Sequence, residues 1–298
     1  MASLEPVHAS TVVLLRAARP DGRPTIFLVK RHSKSAFMAN AYVYPGGKLD
    51  RDDTTAETTS YCSGLSAKQA MNHLAPSGPR LQDDAVLSDA QALGLYVAAI
   101  REVFEESGVL LARDIHGEWV NLEHPDVGSR FAQHRADLNS GSLSMTELAR
   151  RERLSYPLDA LHYIGHWITP TFERRRFNTR FYIAIAPAGQ EPLHDDKEVV
   201  ASAWWTPSEA IDRYRTGEIQ LAPPTFRTLE EMSAYNSVET LVKGMTQGPI
   251  PTIMPRLESI DGAMTLLLPG DPLMPSHTGV EGPTRLVLED DQWWSRHP

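Results

Sequence analysis

A single cysteine, Cys62, stands among 298 residues, which excludes an internal disulfide and a cysteine-built zinc site. Such sparing use suits a reducing compartment. Nowhere does the chain approach the roughly 18 consecutive apolar residues that a membrane helix needs. Its early apolar runs, Val12–Leu15 and Ile26–Val29, are strand-sized. The opening MASLEPVHAS carries an acid and lacks the long apolar stretch of a secretory signal. Positive charge is also short: 29 Lys and Arg face 38 Asp and Glu, a formal charge of −9. Broad electrostatic attraction to nucleic acid or to an anionic membrane is therefore not expected. An anionic ligand has to be met by a local basic cluster or by a metal ion. Neither an internal repeat nor a low-complexity tract is present. What is there, 41% hydrophobic and 22% charged residues, is the composition of a packed globular protein. Cytoplasm is the expected location, since the closing Ser295-Arg296-His297-Pro298 is not a Ser-Lys-Leu-type address.

The first forty residues read as a β-hairpin, two apolar runs separated by Arg19-Pro20-Asp21-Gly22-Arg23-Pro24. Pro presets φ and Gly accepts positive φ, so Pro-Asp-Gly is strong turn chemistry. A third extended piece, Ala41–Tyr44, runs into Pro45-Gly46-Gly47, where paired glycines permit close approach to a ligand. Residues 54–87, rich in Asp, Thr, Ser and Gly with one short helical stretch at Ser66–Leu74, read as an insertion outside the main core or partly covering it, a local excursion rather than part of the core. A helix follows. Leu93, Val97, Ile100 and Phe104 recur at four, three and four residues, with Ser88 or Asp89 as cap and Gly108 as stop. Further helices are expected near Ser144–Arg153, Ser208–Arg215 and Thr225–Val242, and strands at Ile164–Ile168, Thr179–Ala186 and Val199–Trp205. The last 55 residues hold eight of the 22 prolines and read as an irregular extension, giving boundaries of 8–243 for the domain and 244–298 for the tail.

Within the long helix, Glu102, Glu105 and Glu106 fall at i, i+3 and i+4 and share one face. Like charges so placed repel by a few tenths of a kcal/mol per pair. A solvated acidic face is one reading of that pattern. A site for a hard cation is the other, because Mg²⁺ and Mn²⁺ prefer carboxylate oxygen. The neighbouring residues favour the second. Gly46-Gly47-Lys48-Leu49-Asp50 together with Arg101-Glu102-Val103-Phe104-Glu105-Glu106-Ser107-Gly108-Val109 resembles the two ends of the Nudix box. Two departures accompany the match. Asp53 occupies the box glutamate position counted from Gly47, and 47 residues separate Asp53 from Arg101 where the pattern has seven. A box split at this place resembles the Nudix 19-type coenzyme A diphosphatase branch. His166-Trp167-Ile168-Thr169-Pro170, Arg175–Phe181, Trp205–Ala210 and Leu221–Thr225 resemble that branch too, so the likeness spans roughly residues 8 to 240.

The resemblance implies an α/β fold, a Nudix α/β/α sandwich with a mixed sheet. It also implies water attack on the diphosphate of a nucleoside diphosphate derivative with Mg²⁺ or Mn²⁺. Glu102 and Glu106 would be the main metal ligands, with Glu105 completing the cluster and the Gly47 carbonyl adding an oxygen. Arg101 would orient the glutamates. Glu102 is the first choice of general base, and Glu198, in the acidic loop before Val199, is the outside candidate. Phosphate contacts are expected from Arg31 and Lys34 and from the cluster Arg174-Arg175-Arg176 with Arg180, the densest positive patch. On a strand only alternate members of that cluster share a face. The branch points to coenzyme A or acyl-coenzyme A, cleaved to 3′,5′-ADP and a 4′-phosphopantetheine species. The upstream coenzyme A signature is only partly kept, by Arg31 and Tyr44 but not at Ala36 and Asn40. An ADP-ribose, NADH, nucleotide-sugar or dinucleotide substrate is the alternative, and a silent nucleotide-sensing module a third reading. A homodimer is compatible with the branch. His162 and His166 have helical zinc spacing but β-prone flanks, and Cys62 reads as inert.

Overall fold

The computed structural model describes residues 5–17, 22–32, 40–192, 199–276 and 279–298. The chain opens with β1 (Val7–Arg16), β2 (Thr25–Arg31), β3 (Ala41–Val43) and β4 (Gly46–Lys48). β1 and β2 pair antiparallel through Leu15 and Ile26, the expected hairpin. Most of its Pro-Asp-Gly turn lies outside the described residues. The inserted segment forms a 3₁₀ turn at Asp52–Thr54, α1 (Ala56–Ser60), β5 (Cys62–Ser63) and α2 (Ala67–His73), and leads into α3 (Asp89–Ser107). Then come α4 (Pro125–Asn139), α5 (Met145–Glu152), β6 (Tyr156–Pro157), β7 (His162–Ile168), β8 (Phe177–Ile185) and β9 (Val199–Trp205). The remainder is α6 (Pro207–Arg215), β10 (Gln220–Leu221), α7 (Pro223–Met232), α8 (Val238–Met245), β11 (Thr252–Ile253) and β12–β15 (Arg256–Ile260, Ala263–Leu267, Arg285–Glu289, Gln292–Arg296).

Nine strands form one mixed sheet in the order β10-β3-β2-β1-β8-β7-β11, with β4 on β1 and β9 on β2. β1 runs parallel to β8 and antiparallel to β2 and β4. Its unbroken run Val12-Val13-Leu14-Leu15 is buried on both faces, which is why it shows no polar alternation. Val12 and Leu14 pack with α3 in one core, while Val13 and Leu15 pack with α6, α7 and α8 in the other. Helices thus cover both faces of the sheet.

Three expectations are corrected. The insertion is not outside the core: Ala70, Leu74 and Leu87 are buried in the α3 core. A helix pressed by a sheet on one side and by the insertion on the other buries nearly its whole circumference. The stripe read from sequence is therefore only part of its contact surface. Thr225–Val242 is two helices, because Ser237 begins α8 with its own capping box to Thr240. The tail is not irregular: β12–β15 form a four-stranded antiparallel sheet. Its eight prolines all fall outside the strands and punctuate them. The turn Asp261-Gly262 has φ of 50° and 83°, the positive pair that a two-residue hairpin requires.

Candidate active site

The two half-motifs meet. β4 is held against β1 with Ser10 opposite Gly47 and Thr11 opposite Gly46, and the Ser10 hydroxyl donates to the Leu95 carbonyl of α3 at 2.6 Å. Gly46 N–H donates to Glu106 Oε2 at 3.0 Å. A Cβ on Gly47 would sit 2.3 Å from Glu102 Oε1, so a side chain there would displace that carboxylate. α3 is fixed at both ends, by a Ser88–Gln91 capping box and by Gly108 at φ 76°. Its glutamates are therefore presented at a defined place on the glycine strand.

Arg101 organises the cluster. Its Nε and Nη2 donate to the two oxygens of Asp53, both at 3.0 Å, a bidentate pair between buried groups. Nη2 also donates to the Lys48 carbonyl at 2.8 Å, and Nη1 donates to Glu102 and Glu105, each at 2.9 Å. Asp53 thus stands where the box glutamate is expected and serves as the anchor of Arg101. Burial lowers the proton affinity of this guanidinium, but its bond to Asp53 and the surrounding carboxylates more than reverse that, so it stays charged. One guanidinium cannot balance Asp53, Glu102, Glu105 and Glu106 together. Burial, reinforced by Glu105 and Asp53 and opposed by Arg101, lifts Glu102 to about 7. Burial likewise raises Glu105 and Asp53.

These features fit a hard divalent cation. The side chains gathered there are carboxylates, and their excess negative charge is what such an ion would neutralise. Among the described residues no group of three or more His, Cys, Asp or Glu stands in an arrangement that could hold a metal ion as it is. Glu102 and Glu105 are turned toward Arg101, and Glu106 toward Gly46.

The cluster opens into a cleft of about 1240 Å³. Gly47, Arg101, Glu102, Glu105, Glu106, Arg31 and Arg175 all line it. Arg176 and Arg180 do not, which corrects their expected phosphate role. Both are buried on the parity of β8 that faces away, where Arg176 pairs with Asp83 at 2.7 Å and Arg180 with Asp84 at 3.3 Å. Arg180 also donates to Asn178 and contacts His166. Burial and then the Arg180 charge hold His166 well below the usual imidazole range, so it is a neutral core group of β7. Lys34 and Glu198 lie outside the described residues. Burial pushes the Cys62 thiol up to about 12, in keeping with an inert side chain. Sequence reasoning missed the structural part of Asp53 and the cleft wall formed by Trp167, Phe181, Leu257, Met264, Leu266 and Trp293. The Asp261-Gly262 turn between two β-prone runs is the signal that could have placed Leu257, Met264 and Leu266 on a hairpin.

Comparison with known proteins agrees with this geometry. A sequence model of the NUDT19 Nudix domain matches residues 7–232. The chain is 26% identical to the Xenopus laevis protein named acyl-coenzyme A diphosphatase NUDT19, over 88% of this chain and 74% of that one. It is 28% identical to the Gallus gallus protein of the same name, over 94% and 83%. Among solved structures, a Nudix hydrolase from Alicyclobacillus acidocaldarius covers 84% of this chain and 100% of its own, with TM-score 0.61 and 25% identity. With its split box closed around Arg101 and a family match over three quarters of its length, the chain belongs to the Nudix hydrolases, in the NUDT19 branch, and is a Nudix diphosphatase.

Proposed function

We propose that the protein is a Mg²⁺- or Mn²⁺-dependent diphosphatase of coenzyme A or acyl-coenzyme A, releasing 3′,5′-ADP and the corresponding 4′-phosphopantetheine. The observation that carries this reading is the contact of Gly46 and Gly47 with Glu106 and Glu102 at the edge of one large cleft. The relatives named acyl-coenzyme A diphosphatase support the substrate. Glu102 and Glu106, with Glu105 and the Gly47 carbonyl, would hold the metal, which supplies charge neutralisation at the diphosphate and water activation. Glu102 is the proposed proton acceptor for the attacking water, a role that needs it within hydrogen-bond reach of that water. Arg101 keeps the carboxylates in place, and Arg31 and Arg175 meet phosphate oxygens from the cleft wall. Lys34 as a further phosphate contact and Glu198 as an outside base belong to the same proposal.

Location in the cytoplasm also remains part of this reading; no helix among the described residues is long and apolar enough to cross a membrane. The deciding experiment is a metal-supplemented panel of coenzyme A, acyl-coenzyme A, ADP-ribose, NADH and diadenosine polyphosphates, with products identified by mass. Turnover led by coenzyme A species supports the proposal. Turnover led by ADP-ribose or NADH transfers the site to another nucleoside diphosphate. The mass of the protein in solution reads whether it pairs as a homodimer.

A further inference from the structure

One row of the central sheet runs along the floor of the cleft through Lys48, Ala9, Thr179 and Trp167 and ends beyond it at Ile253. Register places Lys48 beside Ala9, Ala9 beside Thr179, Thr179 beside Trp167 and Trp167 beside Ile253. These residues, with Thr11 and Phe181 in the neighbouring row, point to the same face. Four strand steps separate Lys48 from Ile253, about 19 Å at the usual interstrand spacing. At the end of that row the chain turns directly from β11 into β12, which starts the C-terminal sheet. In that sheet Leu257 lies opposite Leu266, and Met264, two residues away on the same strand, shares their face. Trp293 lies opposite Leu288, on the face of Leu286 and Leu266. Leu257, Met264, Leu266 and Trp293 all line the cleft that begins at the glutamates. The sheet is seated firmly. Gln292 donates to the Tyr214 carbonyl at 2.6 Å, Trp293 N–H donates to the Tyr214 hydroxyl, and Ser295 bonds Glu230.

We infer that this C-terminal sheet is an apolar subsite for the acyl chain of the substrate, beyond its pantetheine arm, and that Met264, Leu257 and Trp293 set acyl-chain preference. The inference rests on the reading of the chain as a coenzyme A diphosphatase. Three observations carry it. The subsite is continuous with the diphosphate site within one cleft. Its apolar lining is shared by the two sheets, Trp167 and Phe181 from the central sheet and Leu257 and Met264 from the C-terminal one. And Met264 keeps 48% of its surface exposed although Leu266 and Leu286 on the same face are buried in the core. An apolar side chain left open inside a cleft gains by being covered with hydrocarbon. A nucleoside diphosphate without an acyl chain leaves this wall wet.

The test compares kcat/KM for free coenzyme A and for acetyl-, hexanoyl- and lauroyl-coenzyme A in wild type, Met264→Asp and Trp293→Ala. Met264 is half exposed, so an acid there spares the fold, and the Trp293 bond to Tyr214 is a main-chain one that Ala retains. Wild type is expected to favour longer chains. Each variant should lower the lauroyl-to-free coenzyme A ratio about tenfold while leaving free coenzyme A within about twofold, a methylene-scale discrimination. Two results overturn the inference while leaving the diphosphatase reading intact: equal kcat/KM for all chain lengths in wild type, or equal loss on free and acylated substrate in both variants. Hydrolysis of ADP-ribose with none of any coenzyme A species overturns the underlying reading, and this inference with it.

Discussion

Glu102 illustrates how burial and charge are set against each other. A carboxyl whose folded-state pKa is raised from an ordinary value near 4.5 to about 7 holds its proton more tightly in the folded chain than in the unfolded one. Stability is then fully present below about pH 4.5 and is lost as pH rises through 7. Glu102→Gln removes that loss, so in the absence of metal the variant should be more stable than wild type at pH 8, on the order of 1–3 kcal/mol. Thermal melts at pH 5 and pH 8 check this; the gain should shrink at pH 5, and an equal gain at both would refute it. Asp53 makes a different prediction. Asp53→Asn removes the charge that anchors Arg101, so metal affinity or activity should fall 10–100-fold, as for other partners that orient ligands. Mn²⁺ titration followed by water-proton relaxation reads the affinity without reference to turnover.

At the scale of elements, much was legible and the errors have physical causes. β1, β2, β7, β8, β9 and α3 were readable because each carries a continuous apolar run or a 3.6-residue stripe. α4 went unread although Phe131, His134 and Leu138 fall at three and four residues, because its other positions are polar and only those three are buried. The tail was misread because proline counts describe a segment and not the positions between prolines. Its Asp261-Gly262 signal was the better guide. The insertion was misread because its core contribution is made by few apolar residues and one buried acid, Asp84, which no periodicity marks. Asp84, wholly buried between Arg180, Asn178 and His166, is the strongest of these ties. Asp84→Asn should cost about 3–5 kcal/mol by leaving the Arg180 charge uncompensated. Asp83→Asn should cost less, because the Asp83 side chain is partly exposed. Urea melts of both variants give the comparison, and equal costs would mean the insertion is not held through Asp84. The glutamate face, the glycine pair and Arg101 were all legible from the motif. The buried state of Arg176 and Arg180 was not, since their carboxylate partners Asp83 and Asp84 lie more than ninety residues away in sequence.

For the whole molecule, the acidic balance of −9 and a site holding more carboxylate than cation mean that divalent metal should stabilise the folded chain. At a hundredfold excess over the dissociation constant the gain should be about 2.7 kcal/mol, a rise in Tm of several degrees that Glu102→Gln largely abolishes. An equal rise in both proteins would place the metal elsewhere. The central claim, that the split box forms one diphosphatase site, is tested most directly by the masses of the products. Wild type and Glu102→Gln are each given acyl-coenzyme A at saturating Mg²⁺ or Mn²⁺. The account predicts 3′,5′-ADP and acyl-4′-phosphopantetheine from wild type, and the same products at least about a hundredfold more slowly from the variant. Free coenzyme A and fatty acid as the products, or equal rates from the two proteins, would contradict it.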